Sequence, residues 1–84
     1  MTPLDRLREL AGTDDVEYLR AIPRAWFVGA AREELNPTVV IRIGSQYLVE
    51  TAEEPGEWYM GQLDRGEIVC WGRYGPLEDA VRGL

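Results

Sequence analysis

The sequence predicts an α+β domain with two or three N-terminal helices, a four-stranded antiparallel β-meander and a C-terminal helix. Apolar residues have helical spacing in the first third of the chain and alternate with polar residues in the middle, where glycine-containing turns recur at regular intervals. The length of 84 residues and the hydrophobic content of 45% are typical of one folded domain. We therefore expect a single domain over residues 1–84, with a helical segment at 1–36, the meander at 37–75 and the closing helix at 76–84.

The first two helices are predicted from capping signals and apolar stripes. Thr2 suits the N-cap of a helix over residues 3–11, which carries the stripe Leu4, Leu7 and Leu10. A second, shorter helix is predicted to end at Pro23, since Asp14 and Glu17 have the spacing of a capping box. Its apolar stripe consists of Val16, Leu19 and Ile22.

Residues 23–36 are ambiguous. Trp26 and Phe27 suit the start of a strand, yet Ala30 and Ala31 follow them at the i+4 spacing of a helix. We choose a helix here because residues 30–35 are good helix formers and the Asn-Pro pair at 36–37 is a suitable terminator.

Turn signals divide the middle of the chain into four strands. The turns are Gly44-Ser45, Pro55-Gly56 and Arg65-Gly66, and the predicted strands are residues 38–43, 46–53, 57–63 and 67–74. Both faces of this meander carry large apolar side chains: Trp58 and Met60 alternate with Tyr59, and Cys70 alternates with Trp71. One face should meet the helices. The second is either covered by the N-terminal third or left for a partner.

Charge and residue types exclude several function classes. Fifteen acidic residues against nine basic ones give a net charge of −6, which disfavours direct nucleic-acid binding. All nine basic residues are arginine, so the chain has no histidine or lysine for acid-base or Schiff-base chemistry. We expect no catalytic residues, no metal ligands and no cofactor. Cys70 is expected to be a buried structural thiol.

No apolar run approaches the roughly 20 residues that a membrane-spanning helix needs. The N-terminal residues also lack the pattern of a secretory leader. We therefore expect a cytoplasmic protein with no membrane association.

The candidate site is an acidic stretch with aromatic neighbours. Between residues 50 and 67 the acids outnumber Arg65 by five. They either solubilise turns and protect strand edges or form an acidic patch for a partner with a basic surface. If they form such a patch, the candidate partner-binding residues are Glu50, Glu53, Glu54, Glu57, Trp58, Tyr59, Asp64, Glu67 and Trp71.

These features predict a small acidic, non-enzymatic protein-binding module that neutralises or inhibits a basic partner, as an immunity protein, an antitoxin or a phage inhibitor does. The alternative is an accessory or structural subunit that forms a homo-oligomer, or part of a larger complex, through its second sheet face. Oligomerisation is one way in which a domain this small gains buried surface.

Overall fold

The computed structural model describes residues 3–84, so the predicted N-cap Thr2 lies outside the described residues. Over this range two short helices flank seven strands. In chain order the elements are α1 (Pro3–Ala11), β1 (Val16–Tyr18), β2 (Ala25–Val28), β3 (Arg32–Leu35), β4 (Pro37–Ile43), β5 (Gln46–Thr51), β6 (Trp58–Asp64), β7 (Glu67–Arg73) and α2 (Leu77–Arg82).

The seven strands form one mixed sheet in the order β1-β4-β5-β6-β7-β2-β3. Every neighbouring pair is antiparallel except β2 and β7, which run parallel with Ala25 opposite Ile68. The prediction of several N-terminal helices and an isolated four-stranded meander is therefore wrong. Strands do occur close to the four expected positions, but they form the middle of a larger sheet to which the N-terminal third adds three strands.

The predicted second helix is wrong because cross-strand contacts hold its residues in an extended conformation. Val16 is buried opposite Ile43, and Glu17 lies opposite Arg42 and accepts a 2.9 Å hydrogen bond from its guanidinium group. The Leu19 N–H continues the connection to β4 by donating to the Val40 carbonyl oxygen. Of the apparent capping box, Glu17 therefore supplies an ion-pairing partner for β4.

The predicted helix over residues 23–36 is also wrong, since this segment forms the β2–β3 hairpin. Alternation along β2 buries Ala25 completely and turns Phe27 to the same side, while Trp26 and Val28 face the other way. Ala30 and Ala31 lie in the connecting turn. Tertiary burial of one strand face has overridden local helix propensity.

One face of the sheet, the helix-side face, packs against α1 and α2. The two helices, β1, β4, β5 and β6 together form its core, which contains Leu7, Val16, Ile41, Ile43, Leu48, Trp58, Met60, Ala80 and Val81. No residue of β7, β2 or β3 belongs to this core within the described part of the chain. The helices therefore cover only half of the helix-side face.

The other face, the inner face, is enclosed by curling of the sheet. Asn36 alone separates Leu35 of β3 from Pro37 of β4, although these strands are last and second in the sheet order. Two Cα steps of 3.8 Å bring the two strands together at this corner. The Ala52 N–H joins the corner by donating to the Asn36 carbonyl oxygen at 3.1 Å.

The enclosed residues form a second core of Ala25, Val40, Val49, Tyr59, Ile68 and Cys70, each at most 5% exposed. Leu19, Phe27, Leu35 and Tyr47 pack against it. The second apolar face is thus covered within the chain by the N-terminal third, folded as strands rather than helices. No helix between residues 3 and 84 is long and apolar enough to cross a membrane.

Candidate protein-binding site

The loop between β5 and β6 carries three of the six predicted acidic residues, and side chains from the end of β5 hold it. Glu50 Oε2 accepts a 2.9 Å hydrogen bond from the Gly56 N–H, and Thr51 Oγ1 accepts one from the Glu54 N–H. Gly56 has a φ of +84°, which favours glycine at this turn. Glu50 therefore has a local structural role in ordering the loop.

Arg73 fixes the orientation of the loop against β7. Its guanidinium lies 2.8 Å from Glu54 Oε2 and 3.7 Å from Glu57 Oε1. The hydroxyl of Tyr59 also donates to Glu54 at 3.2 Å. Burial is the main cause that raises the pKa of Tyr59, so its hydroxyl stays protonated and acts as a donor. The Glu54 carboxylate is therefore directed towards Tyr59 and Arg73 at the edge of the inner face.

A cleft of about 150 Å³ separates this loop from β3, and we call it the acidic cleft. Its lining residues are Glu33, Glu34 and Leu35 on β3, with Thr51, Glu53, Glu54 and Tyr59 on the opposite wall. The cleft opens next to Asn36, where the edge strand β3 approaches β4. Two segments that are far apart in the sheet order thus converge on one acidic opening.

The glutamates of the acidic cleft are only partly neutralised. Arg24 binds Glu34 at 2.8 Å, and this contact lowers the pKa of Glu34. Glu54 has Arg73, and Glu53 accepts a hydrogen bond from the Asn36 side-chain amide. Among residues 3–84 no ion pair or side-chain hydrogen bond engages Glu33. Four glutamates and two arginines leave a local net charge of −2.

The structure does not bring all the predicted acidic residues together. Asp64 and Glu67 lie at the opposite end of β6 from the β5–β6 loop, about 20 Å away for a strand of this length. Asp64 is exposed beside the Arg65-Gly66 turn. The acidic stretch of the sequence therefore divides into a cluster at the cleft and a separate pair.

The predicted aromatic residues also divide by burial. Trp58 and Tyr59 are only 6% and 5% exposed and contribute to the helix-side and inner cores respectively. Only the Tyr59 hydroxyl end reaches the acidic cleft. Trp71 is 46% exposed on β7. It is therefore the predicted aromatic residue whose ring a partner can contact.

Trp71 borders the half of the helix-side face that the helices leave open. Val69 lies opposite both Gln62 of β6 and Trp26 of β2, so these three side chains share that face. Trp71 follows Val69 at a β-bulge, where it has no partner residue on β6 and its side chain is exposed. Val28, two residues after Trp26, is 41% exposed. We call Trp26, Val28, Val69 and Trp71 the outer patch.

The cluster around Trp26 was not predicted from the sequence. The guanidinium carbons of Arg24 and Arg32 lie 4.9 and 4.6 Å from the centroid of the Trp26 ring, and Trp26 Nε1 donates to Glu67. Such stacking orders the long arginine side chains. Arg24 and Trp26 share a face only if the segment is a strand, so the helical interpretation hid this signal.

A larger but wide-open depression lies where α1 meets β1. Its volume is about 450 Å³, and its lining is Asp5, Arg8, Glu9, Gly12, Thr13 and Asp14. Arg8 bonds to Asp5 and to the Asp14 carbonyl oxygen across this depression. None of its lining residues is aliphatic or aromatic, and its wide opening makes it a weaker candidate binding site than the acidic cleft.

The single cysteine of the chain is a core residue. Cys70 is fully buried in the inner core, and desolvation raises the pKa of its thiol to about 12. A thiol with such a pKa is not a nucleophile at neutral pH. Over the described residues, no group of three or more histidine, cysteine or acidic side chains is arranged to hold a metal ion.

Comparison of the chain with protein-family models, curated proteins and solved structures found no match.

Proposed function

We propose that this protein is a non-enzymatic binding module that captures a basic segment of a partner protein in the acidic cleft. A partner blocked in this way would be inhibited, as in the immunity-protein, antitoxin and phage-inhibitor classes. The observation that carries the proposal is the convergence of Glu33, Glu53 and Glu54 from two distant segments on one cleft. An arginine or lysine side chain entering the cleft would find carboxylates on both walls.

The cleft offers shape as well as charge. Leu35 and the buried Thr51 provide a partly apolar floor for the alkyl part of a long basic side chain, while the glutamates surround its charged end. Since Glu33 has no arginine partner within residues 3–84, it can bind an incoming cation without first breaking an ion pair. We place this function in the cytoplasm, because the lone buried Cys70 cannot form an intrachain disulfide.

The test measures binding of a short arginine-rich peptide by titration calorimetry. The double variant Glu33→Gln with Glu53→Gln should bind about tenfold more weakly than the wild type and with a flatter salt dependence, because two favourable charge interactions are lost. The matched control, Glu9→Gln with Asp64→Asn, removes the same charge at exposed positions outside the cleft. Equal weakening in both variants would show that net charge alone attracts the peptide, and it would contradict the proposal.

A second candidate function is that of a subunit that associates through the outer patch. It is favoured by the exposure of Trp71 and Val28 on the half of the helix-side face that the helices leave open. The inner face cannot serve this purpose because it is already buried. Self-association would therefore use a different face from the one expected from the sequence.

A further inference from the structure

We propose that the basic segment binds as an added β-strand along the free edge of β3. This inference rests on the proposed function and specifies how the partner is held. It follows from the position of β3 in the sheet, from the place of the acidic cleft beside it, and from the charges that its exposed residues present.

β3 offers an unpaired edge. It stands last in the sheet order, and over residues 3–84 its only strand neighbour is β2. Backbone N–H and C=O groups along such an edge are directed away from the sheet and can bond to another extended chain. Three of the four residues of this edge, Glu33, Glu34 and Leu35, also form one wall of the acidic cleft. An added strand would therefore run directly along the cleft.

The other edge of the sheet is a weaker template. β1 contains only three residues, Val16–Tyr18, and the exposed carboxylate of Glu17 is already bound by Arg42. No residue of β1 lines the acidic cleft. A carboxylate without an ion-pair partner, that of Glu33, thus lies next to a free backbone edge at β3, whereas the carboxylate on β1 is already paired.

The charges on β3 indicate which kind of chain can pair with it. Antiparallel pairing of two copies of this strand about a twofold axis between residues 33 and 34 would place Glu33 of each copy opposite Glu34 of the other. An axis between residues 32 and 33 would instead place Arg32 of each copy opposite Glu33 of the other, so the charges on β3 alone do not exclude a second copy. The acidic cleft beside this edge carries a local net charge of −2, and this charge favours a strand with basic side chains as the occupant.

Alternation along β3 determines the pattern that the partner should carry. Glu33 and Leu35 lie opposite Phe27 and Ala25 and share the inner side, towards the cleft, whereas Glu34 lies opposite Trp26 on the other side. An added strand would therefore direct every second side chain towards the cleft. Basic residues at alternate positions fit this arrangement best.

The test uses a short peptide in which arginine and threonine alternate, together with versions that carry one backbone N-methyl group at successive positions. N-methylation removes a donor and blocks strand pairing without changing charge. We expect N-methylation at every second peptide position to weaken binding about tenfold, and N-methylation at the positions between them to change it little. Amide hydrogen exchange within 32–35 should slow on binding, while exchange within 16–18 should not change.

Two results would overturn the inference. The first leaves the proposed function standing, whereas the second contradicts the proposed function as well. If every N-methylated peptide binds as well as the parent while Glu33→Gln with Glu53→Gln still weakens binding, the cleft captures side chains without strand addition and the proposed function stands. If no arginine-containing peptide binds the wild-type protein, both the strand addition and the proposed function are wrong.

Discussion

Glu67 Oε1 accepts a 3.1 Å hydrogen bond from Trp26 Nε1 and thereby joins β7 to β2, the only parallel strand pair in the described sheet. The same carboxylate lies 3.8 Å from Arg24 and 3.7 Å from Arg32, the two arginines that stack on the Trp26 ring. Glu67 was predicted from the sequence as a partner-binding residue. In the structure it instead holds Trp26, a member of the outer patch, in place.

Replacing Glu67 should therefore reduce stability. Glu67→Ala is expected to lower the free energy of unfolding by about 1 kcal/mol, since it leaves a half-buried indole donor without its partner, and Glu67→Gln should lower it less because an amide oxygen still accepts. Urea denaturation measures both changes. Asp64→Ala, at an exposed position in the same hairpin, should stay within about 0.5 kcal/mol of wild type. Equal effects at both positions would contradict this role of Glu67.

Gly61 is required by close backbone packing. A Cβ at this position would lie 2.3 Å from the Val69 carbonyl oxygen and 2.8 Å from the Cys70 Cα, next to the bulge that makes Trp71 an extra residue in β7. We expect Gly61→Ala to lower the free energy of unfolding by about 3 kcal/mol. Gly29→Ala is the matched control, since its Cβ would meet only the movable Phe27 ring edge at 3.3 Å. Similar denaturation midpoints for both variants would show that the bulge relaxes.

Arg42 makes part of the stability dependent on acid pH. It bonds to Asp15 at 2.9 Å and holds the pKa of that carboxyl below its ordinary value of 3.8. The stabilisation from Asp15 is therefore complete above pH 3.8 and is lost as the pH falls through the lowered pKa. Arg42→Gln should flatten the fall in thermal midpoint below about pH 4.

Some acid sensitivity should remain in that variant, because Arg24 and Arg6 similarly lower the pKa values of Glu34 and Glu78. Arg20→Gln, at an exposed position, should leave the wild-type profile unchanged. An Arg42→Gln profile that is parallel to wild type would show that the Asp15 contact contributes nothing in solution.

The outer patch leads to a prediction about self-association. If the subunit function holds, light scattering at micromolar concentration should show a dimer or larger species, and Trp71→Ser should shift it towards monomer. Leu63→Ser is the matched control, because Leu63 is 48% exposed but alternates to the other face of β6. A monomer at every concentration would exclude the second candidate function.

The sequence by itself determined the parts of the fold that local signals specify. Glycine conformations at the turns, with φ of +61° at Gly44 and +82° at Gly66, divide the chain into β4 to β7 almost where the turn residues predict. The leucine stripe of α1 and the acidic first turn of α2 likewise locate the two helices. These signals depend on neighbours in the chain, so they can be recognised without knowledge of the tertiary structure.

Only the tertiary structure decided what the N-terminal third does and which acids meet. The strands within residues 16–35 form because Val16, Ala25, Phe27 and Leu35 fill cores whose other members come largely from β4 to β7 and the two helices. Helical spacing within the segment cannot report this. The sequence placed Glu53 and Glu54 in an acidic stretch, but Glu33 joins them only because Asn36 turns the last strand of the sheet back onto β4. Burial of the inner face causes this curling, and it is the same curling that enclosed Tyr59 and left Trp71 exposed.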